Sequence, residues 1–287
     1  CPGDIPPQRR MPHDPVYADL HTHTHCSDGT LAPDALVQRA AERGIRVLAV
    51  TDHDTIAGLE AARAAAHRHG LQFVNGVELS VEVEGRSVHL LGYGFDPAHQ
   101  GLKDSLEAFT QRRRERLHRM IRRLSEEGVQ VTVERVEQYV GTSAAPGRPH
   151  LARALVAEGH VDSYKAAFEQ YLDVKKSAYI PAPTQPAATA IDALHAADGV
   201  AVLAHPGQWT PSTVLKALRE QGLDGIECIS PSHADYLVEY YESICRSQNL
   251  LVTGGSDFHG RSDDGEEPLG TVGLTKAQWE RFRASAL

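Results

Sequence analysis

Apolar and polar residues alternate in the first third of the chain with the spacing of strands followed by helices. Residues 45–50 form a continuous apolar run, which is typical of a strand buried on both faces. Asp54 can cap the next helix, and Gly70 can end it. The pattern predicts strands over 16–20, 45–50, 73–83 and 87–94, with helices over 33–43 and from residue 54 to about 69. An alternation of this kind predicts an α/β fold.

The pattern changes after residue 101, where strand signals become rare. Apolar residues recur with helical spacing over 106–124, and Gly and Pro residues divide the rest into shorter segments. We interpret residues 101–185 as a helical insertion. The alternation then resumes, with helices predicted over 188–197, 213–221 and 235–247 and strands over 200–203, 225–229 and 250–253.

Repeated strand–helix units interrupted by one insertion predict a parallel α/β barrel that carries a helical cap. The barrel would comprise residues 16–100 and 186–287, and the Pro-rich residues 1–15 would form a flexible arm. An open doubly wound sheet is the alternative architecture.

Composition and charge argue against some classes of function, such as non-specific DNA binding. The 287 residues carry 29 Lys and Arg against 38 Asp and Glu, and this net charge of −9 argues against non-specific binding of duplex DNA. The net charge does not exclude a small basic pocket that binds a phosphorylated ligand.

No run approaches the ~18 apolar residues of a membrane span, and the start of the chain lacks the apolar core of a signal peptide. The four cysteines are scattered without a C-x-x-C pair, which predicts a reducing compartment and hence the cytoplasm.

The 16 histidines are unusually many, and several fall at predicted strand ends together with carboxylates. In a parallel barrel these ends meet on one rim, so residues distant in the chain can form one site. An H-x-H pair in extended chain directs both imidazoles to the same side. The candidate metal ligands are His21, His23, Asp28, His53, Glu78, His89, His205, Asp257 and His259.

Each of these residues also has an ordinary explanation. A single buried histidine is usually a hydrogen-bonded core residue, and Asp52 and Asp54 are interpreted as helix caps or as hydrogen-bond partners of the ligands. However, burial of several imidazoles and carboxylates without cations costs several kcal/mol for each group. The combination therefore predicts a site with more than one metal ion.

Nine ligands exceed the needs of one ion, and three ions would use them all if Glu78 bridges two of them. The set lacks a thiolate, which excludes a structural zinc site built from cysteines. A mixture of imidazole and carboxylate suits Mn²⁺, the expected cofactor, with Zn²⁺ and Fe²⁺ as alternatives. Two or more ions placed close together stabilise the attacking and leaving oxygens of phosphoryl transfer.

The order of the motifs H-x-H, S-D-G, T-D-H, E, H, H-P and D-x-H resembles the PHP superfamily, named for polymerases and histidinol phosphatases. The resemblance covers residues 16–95 and 187–260, and it implies a distorted (β/α)₇ barrel with a trinuclear metal site. It also implies that Glu78, Asp257 and His205 are catalytic. The implied ligand sets are His21, His23, Glu78 and Asp257 for the first ion, Glu78, His89 and His205 for the second, and Asp28, His53 and His259 for the third.

The segments SDGTLAPDALV, GRPHLARAL and KKSAYIP resemble one branch of this superfamily, the nucleoside 3′,5′-bisphosphate phosphatases, which includes a 5′→3′ exoribonuclease. This resemblance implies hydrolysis of a 3′ phosphate ester in a substrate that carries a 5′-phosphate, either a mononucleotide or a short single-stranded RNA. Arg148 and Lys176 are the expected clamp for the 5′-phosphate, with a surface cation as the alternative for each. The chain has Lys175-Lys176-Ser177 where the resemblance implies Gly-Lys-Pro.

Three further assignments stay open at this point. His150 and His233 are expected to line the substrate pocket, with a capping or surface role as the alternative. Residues 112–123 contain seven arginines, which either guide RNA toward the metals or form a solvated helix face. The competing functions are a histidinol-phosphate phosphatase and a non-catalytic PHP module. The helical insertion argues against the first, and the retention of all nine ligands argues against the second.

Overall fold

The computed structural model describes residues 15–141, 143, 145–208, 210–260 and 268–287. Of the predicted arm, residues 1–15, only Pro15 lies within these ranges. The strands are β1 (Ala18–Asp19), β2 (Val47–Val50), β3 (Gln72–Val83), β4 (Arg86–Tyr93), β5 (Gln185–Pro186), β6 (Val200–Leu203), β7 (Gly225–Ile229) and β8 (Leu251–Gly254). Seven of them form one sheet in the order β1-β2-β3-β4-β6-β7-β8, and β5 pairs with β3.

The sheet is parallel except around β4. Strand β4 runs antiparallel to both β3 and β6, whereas the β1–β2, β2–β3, β6–β7 and β7–β8 pairs are parallel. The parallel barrel predicted from the sequence is therefore interrupted at this strand. The cause is the turn at Glu84 and Gly85, whose φ angles of 51° and 67° suit a two-residue hairpin that returns the chain beside the strand it has just left.

The two ends of the sheet meet beyond β1 and β8. The backbone N–H of Leu20 donates to the carbonyl of Gly254 over 3.2 Å, and that of His23 donates to the carbonyl of Phe258 over 2.8 Å. Thr22 forms a parallel bridge with Phe258. The sheet is therefore a nearly closed barrel and not an open doubly wound sheet.

The helices alternate with the strands in the barrel and accumulate between β4 and β5. They are α1 (Pro33–Glu42), α2 (Leu59–His69), α3 (Gln100–Glu126), α4 (Val133–Val140), α5 (Arg148–Ala157), α6 (Tyr164–Ala167), α7 (Ala187–Ala196), α8 (Ser212–Glu220), α9 (Asp235–Gln248) and α10 (Lys276–Ala286). A π-helical turn over Phe168–Leu172 follows α6. Helix α2 begins after Gly58, so Asp54 does not cap it and that expectation is wrong. None of the helices in the described ranges is both long and apolar enough to cross a membrane.

The buried apolar side chains form two clusters. All four residues of β2 are buried in the first cluster, as a strand covered on both faces requires. Helices α3 to α6 supply most of the second cluster, which includes Leu117, Met120, Leu124, Val136, Leu151 and Leu155. Helix α3 contributes to both, because Leu106 packs in the barrel cluster and Leu117 in the other. This 27-residue helix therefore connects the two clusters.

A buried ion pair joins α3 to the loop after β2. Arg113 Nε donates to Asp54 Oδ2 over 2.9 Å, and Nη2 donates to the same oxygen. Ser80 completes the network, because its backbone N–H and hydroxyl donate to Asp54 over 2.8 and 2.9 Å. Asp54 is fully buried, so its charge depends on these partners.

The Arg-rich segment differs in part from the solvated helix face that was the alternative to RNA guidance. Arg113 and Arg116 are only 8% and 5% exposed, so neither belongs to a solvated helix face. Arg112, Arg119 and Arg122 are exposed. The segment therefore combines two buried arginines with exposed ones.

Replacement of Arg113 by Ala should lower the free energy of unfolding by about 3 kcal/mol or more, because it leaves the buried Asp54 carboxylate without its cation. Urea denaturation followed by circular dichroism measures this loss. Arg119→Ala is the matched control, since Arg119 is exposed on the same helix, and it should change the free energy by no more than about 0.5 kcal/mol. Equal small losses in both variants would contradict a role for the ion pair.

Candidate metal centre

The carboxylate of Glu78 lies at the centre of the candidate site. It projects from β3 and is 1% exposed. Its Oε2 lies 3.4 Å from His21 Nε2, 3.3 Å from His23 Nε2 and 3.0 Å from His53 Nδ1, and its Oε1 lies 2.9 Å from His89 Nδ1 and 3.0 Å from His205 Nε2. Each oxygen therefore faces its own set of imidazoles, which is the geometry a bridging carboxylate needs.

The three remaining candidates lie beside these imidazoles. Asp257 Oδ1 lies 3.4 Å from His21 Nε2 and 3.2 Å from His23 Nε2. Asp28 Oδ1 lies 3.2 Å from His259 Nε2. The structure thus brings all nine predicted ligands into one pocket, from loops and strands spread over the whole barrel.

The ligand atoms fall into three groups, each within 4.8 Å: His23, Asp28, His53 and His259; His21, His23 and Glu78; His53, Glu78 and His89. These groups overlap with the sets that the family resemblance implies. They differ in three respects: His53 takes the place of His205 in the group with His89, Asp257 is absent from the group with His21, and His23 joins the group with Asp28. His205 and Asp257 nevertheless lie beside the same ligands, His205 at Glu78 and Asp257 at His21 and His23.

Uncommon backbone conformations position several of these side chains. His205 and Asp257 have φ angles of 23° and 50°, a region that residues other than glycine rarely occupy. The loops after β1 and β8 also pass very close together, because a Cβ on Gly255 would lie 2.3 Å from the backbone nitrogen of His21. Strain of this kind accumulates at functional sites, where the surrounding structure holds it.

Several buried polar atoms of this pocket lack a hydrogen-bond partner among the described residues. They are His21 Nε2, both ring nitrogens of His23, His53 Nδ1, His89 Nδ1 and Glu78 Oε2. These atoms approach one another closely without the geometry of hydrogen bonds. A buried polar atom left unpaired costs about 1–3 kcal/mol. Nitrogen and oxygen ligands that converge in this way fit divalent cations.

The charges of the pocket also favour cations. Burial opposes a charge on Glu78, but His53, His89 and His21 hold the pKa of this carboxyl well below its usual range. Burial lowers the pKa of His53 to about 4. At His205 burial acts in the same direction, yet the hydrogen bond to Glu78 raises the pKa to about 9. The carboxylates therefore remain charged and attract positive charge.

Asp52 supports the loop that carries His23 and Asp28. Its carboxylate accepts hydrogen bonds from the backbone and hydroxyl of Thr24, both over 2.7 Å, and from the hydroxyl of Ser27 over 2.5 Å. Asp54 supports the neighbouring His53 loop through Ser80, as described above. Of the two interpretations of these aspartates, partnership with the ligand loops is the one observed.

Two carboxylates of the site were missed by sequence reasoning. Asp19 accepts hydrogen bonds from the backbone N–H groups of His21 and Ser256, and burial raises its pKa to about 6. Glu227 contacts His21 and the backbone of His205. One feature of the sequence could have identified Glu227, because it is a charged residue in the middle of the apolar strand GIECI. The structure buries this side chain fully.

Arg148 belongs to a cluster of buried and half-buried arginines on the insertion. Its guanidinium lies 5.6 Å from the ring centroid of Phe168 and 5.5 Å from that of Tyr179. Burial, together with the positive charges of Arg113 and Arg148, lowers the pKa of Arg116 to about 10. The guanidinium groups of Arg113 and Arg148 therefore each lie close enough to Arg116 to affect its charge.

Lys176 is exposed in the turn that follows the π-helical segment. Lys175, which stands at the position where the resemblance implies Gly, has a φ of 74°. The turn thus keeps the left-handed conformation that glycine favours. His150 acts as a cap, because its Nδ1 accepts a hydrogen bond from the backbone N–H of Gly147 at the start of α5.

Both ring nitrogens of His233 bind the backbone. Nδ1 donates to the carbonyl of Cys228 over 2.8 Å, and Nε2 accepts from the N–H of Gly207 over 2.9 Å. Tyr241 donates to the carbonyl of the same glycine over 2.5 Å. His233 therefore supports the loop after His205 and does not offer a free nitrogen to a substrate. That loop also borders a cavity of about 200 Å³, which His89, His205 and Thr210 help to line.

Comparison with known proteins agrees with this geometry. The model of the PHP domain family matches residues 19–180. A 5′-3′ exoribonuclease of Haemophilus influenzae is 35% identical over 277 residues, which cover 92% of this chain and 98% of the relative. A 3′,5′-nucleoside bisphosphate phosphatase of Chromobacterium violaceum is 34% identical over 254 residues, which cover 87% of this chain and 89% of the relative.

A solved structure shows the same fold. The crystal structure assigned as a metal-dependent phosphoesterase from Bifidobacterium adolescentis superposes with a TM-score of 0.86 at 32% identity, and it covers 96% of this chain and 98% of that chain. The barrel, the pocket of imidazoles and carboxylates, and these similarities lead to one conclusion. The chain belongs to the PHP domain family and is a metal-dependent phosphoester hydrolase.

Proposed function

We propose that this protein hydrolyses the 3′ phosphate ester of nucleoside 3′,5′-bisphosphates, and of short 5′-phosphorylated RNA in the 5′→3′ direction. The observation that carries the proposal is the position of the arginine cluster. Arg113 binds Asp54, the residue directly after the candidate ligand His53, and Arg113 and Arg148 each lie within electrostatic reach of Arg116. A second phosphate could therefore be bound beside the reacting one.

The charge balance of this cluster supports an anion there. Asp54 neutralises Arg113. Neither Arg116 nor Arg148 forms an ion pair with a carboxylate in the part of the chain that the structure describes, and each donates to a backbone carbonyl, of Ile180 and Leu172 respectively. A buried guanidinium group such as that of Arg116 and a half-buried one such as that of Arg148, each without a carboxylate, gain from a phosphate, which arginine can bind through two hydrogen bonds.

We assign the nine ligands to up to three ions, with Mn²⁺ as the expected metal. His21, His23, Glu78 and Asp257 would hold the first, Glu78, His89 and His205 the second, and Asp28, His53 and His259 the third. When bound, such ions stabilise charge on the phosphoryl oxygens and activate water. The chain itself orients the ligands through Asp19, Asp52 and Asp54, and it holds the substrate through the arginine cluster.

Binding of the 5′-phosphate would fix the position of the reacting ester. With Arg148 and Lys176 on the terminal phosphate, the adjacent 3′ ester is held at the ligands around Glu78. The energy of that remote contact then serves to orient the reacting group. Cleavage of RNA in the same position would release a 5′-mononucleotide and create a new 5′-phosphate, so degradation would proceed stepwise from the 5′ end.

The relatives and the arginine cluster also distinguish this substrate from histidinol phosphate. Relatives that match along most of the chain include an exoribonuclease, a bisphosphate phosphatase and a phosphoribosyl 1,2-cyclic phosphate 1,2-diphosphodiesterase, all of which act on phosphate esters of nucleotides or sugars. Histidinol phosphate carries one phosphate and an amine, so the arginine cluster would have no anion to bind.

We place the activity in the cytoplasm on cysteine usage, since the described cysteines Cys26, Cys228 and Cys245 are free thiols.

Removal of the metals should destabilise the protein. Protein reconstituted with Mn²⁺ and freed of excess metal should carry at least two equivalents by elemental analysis. In buffer that contains free Mn²⁺ at a hundred times its Kd, the Tm should exceed that of the chelator-treated protein by at least about 5 °C, because a ligand at that excess stabilises by about 2.7 kcal/mol. Less than half an equivalent after reconstitution would contradict a polynuclear site.

Replacement of Glu78 by Gln should abolish the bridge between two ions. The variant loses the charge that offsets cation–cation repulsion, so we expect loss of one metal equivalent and a fall in kcat of at least ~10³-fold. Glu82→Gln is the control, because Glu82 is an exposed residue of the same strand, and it should retain full activity. A kcat of Glu78→Gln within tenfold of the wild-type value would show that Glu78 has only a structural role in its strand.

The 5′-phosphate clamp predicts a non-additive mutant cycle. We expect Arg148→Ala to reduce kcat/KM for adenosine 3′,5′-bisphosphate by ~10–100-fold, the effect of one charge-assisted hydrogen-bonded pair. It should have little effect on adenosine 3′-monophosphate, because the substrate then lacks the group that Arg148 binds. Lys165→Ala serves as the control, since Lys165 is highly exposed. Equal losses on both substrates would exclude Arg148 as the 5′-phosphate ligand.

A further inference from the structure

We propose that Glu227 is a positioning residue that sets the tautomer of His21 and the backbone conformation of His205 at the same time. The inference rests on the proposed metal ligands but not on the proposed substrate. Glu227 lies in the middle of β7 and is fully buried. Its two carboxylate oxygens each bind a different candidate ligand residue.

The first contact determines which nitrogen of His21 is available. Glu227 Oε1 lies 2.9 Å from His21 Nδ1. A carboxylate only accepts hydrogen bonds, so Nδ1 must carry the proton. The other nitrogen, Nε2, faces Glu78 and Asp257 at 3.4 Å each. Glu227 therefore presents His21 to the pocket with a lone pair on Nε2, as a metal ligand requires.

The second contact holds the backbone of His205. The N–H of His205 donates to Glu227 Oε2 over 2.7 Å. With a φ of 23°, His205 occupies a conformation that L residues rarely adopt, and a short hydrogen bond to a charged acceptor stabilises it. The contact fixes the side chain as well, whose Nε2 lies 3.0 Å from Glu78.

An irregularity in strand β7 orients the carboxylate of Glu227. The pairing of β7 with β8 shifts register between Glu227 and Ile229, as at a β-bulge. A bulge redirects a side chain relative to its neighbours along the strand. One buried carboxylate thereby links a ligand that follows β1 to a ligand that follows β6.

The proposal makes a chemical distinction between Glu and Gln at this position. Two donors face residue 227, the ring N–H of His21 and the backbone N–H of His205. Glu offers two acceptors, whereas Gln offers one acceptor and an amide NH₂. In the Glu227→Gln variant, one donor must face the NH₂ group. If that donor is His21, its proton moves to Nε2 and blocks the metal position.

The test compares metal affinity and the protonation of His21 in wild type and Glu227→Gln. We expect the affinity for Mn²⁺, measured by electron paramagnetic resonance of the free ion, to fall at least tenfold for one or more equivalents. The control is Glu220→Gln, which removes an exposed carboxylate from α8 and should bind Mn²⁺ like the wild type. These assays contain no nucleotide, so a wrong substrate assignment would not affect their result.

Nitrogen-15 NMR of the Zn²⁺-loaded wild-type protein provides a readout that a merely structural role would not produce, because it reports which nitrogen of His21 carries the proton in the wild type. His21, assigned by the signal lost in His21→Gln, should show a proton on Nδ1 that is protected from exchange. This signal should disappear in Glu227→Gln. A wild-type His21 with its proton on Nε2, or a Glu227→Gln protein with unchanged Mn²⁺ affinity, would overturn the proposal.

Discussion

The attraction between one buried carboxylate and the imidazoles around it is the interaction on which this site depends. Glu78 contacts five histidines delivered by separate parts of the barrel. Burial would favour neutral groups, yet the imidazoles hold the pKa of Glu78 well below its usual range. The fold can keep this charge in its interior only because several loops end at the same place, and that convergence also creates the positions for metal ions.

The insertion completes the site by contacts with the same loops. Arg113 reaches from α3 to Asp54, beside His53, and Ser143 donates to the carbonyl of Ser27, beside Asp28, over 2.8 Å. Both contacts lie next to candidate ligands of the proposed third ion. The helices that carry the arginine cluster are thereby fixed relative to the metal centre, and we infer that this fixed distance selects a substrate with two phosphates.

The sequence predicted the local features well and the long-range ones only in part. Ligands such as His21 and His205 could be predicted at strand ends from the sequence, because each follows a short apolar run that is typical of a strand. The antiparallel direction of β4 follows from the local turn at Glu84 and Gly85, whereas the burial of Arg113 depends on tertiary contacts that no local pattern contains. Glu227 was missed for the same reason, since its role appears only when the distant chain at His21 and His205 lies beside it.

The identity of the ester that is cleaved tests the central claim most directly. Adenosine 3′,5′-bisphosphate incubated with the Mn²⁺-loaded enzyme can be followed by phosphorus-31 NMR, which distinguishes the two monophosphate products. The account predicts adenosine 5′-monophosphate and inorganic phosphate as the products. Release of the 5′-phosphate to give adenosine 3′-monophosphate, or hydrolysis of histidinol phosphate with the bisphosphate left intact, would contradict it.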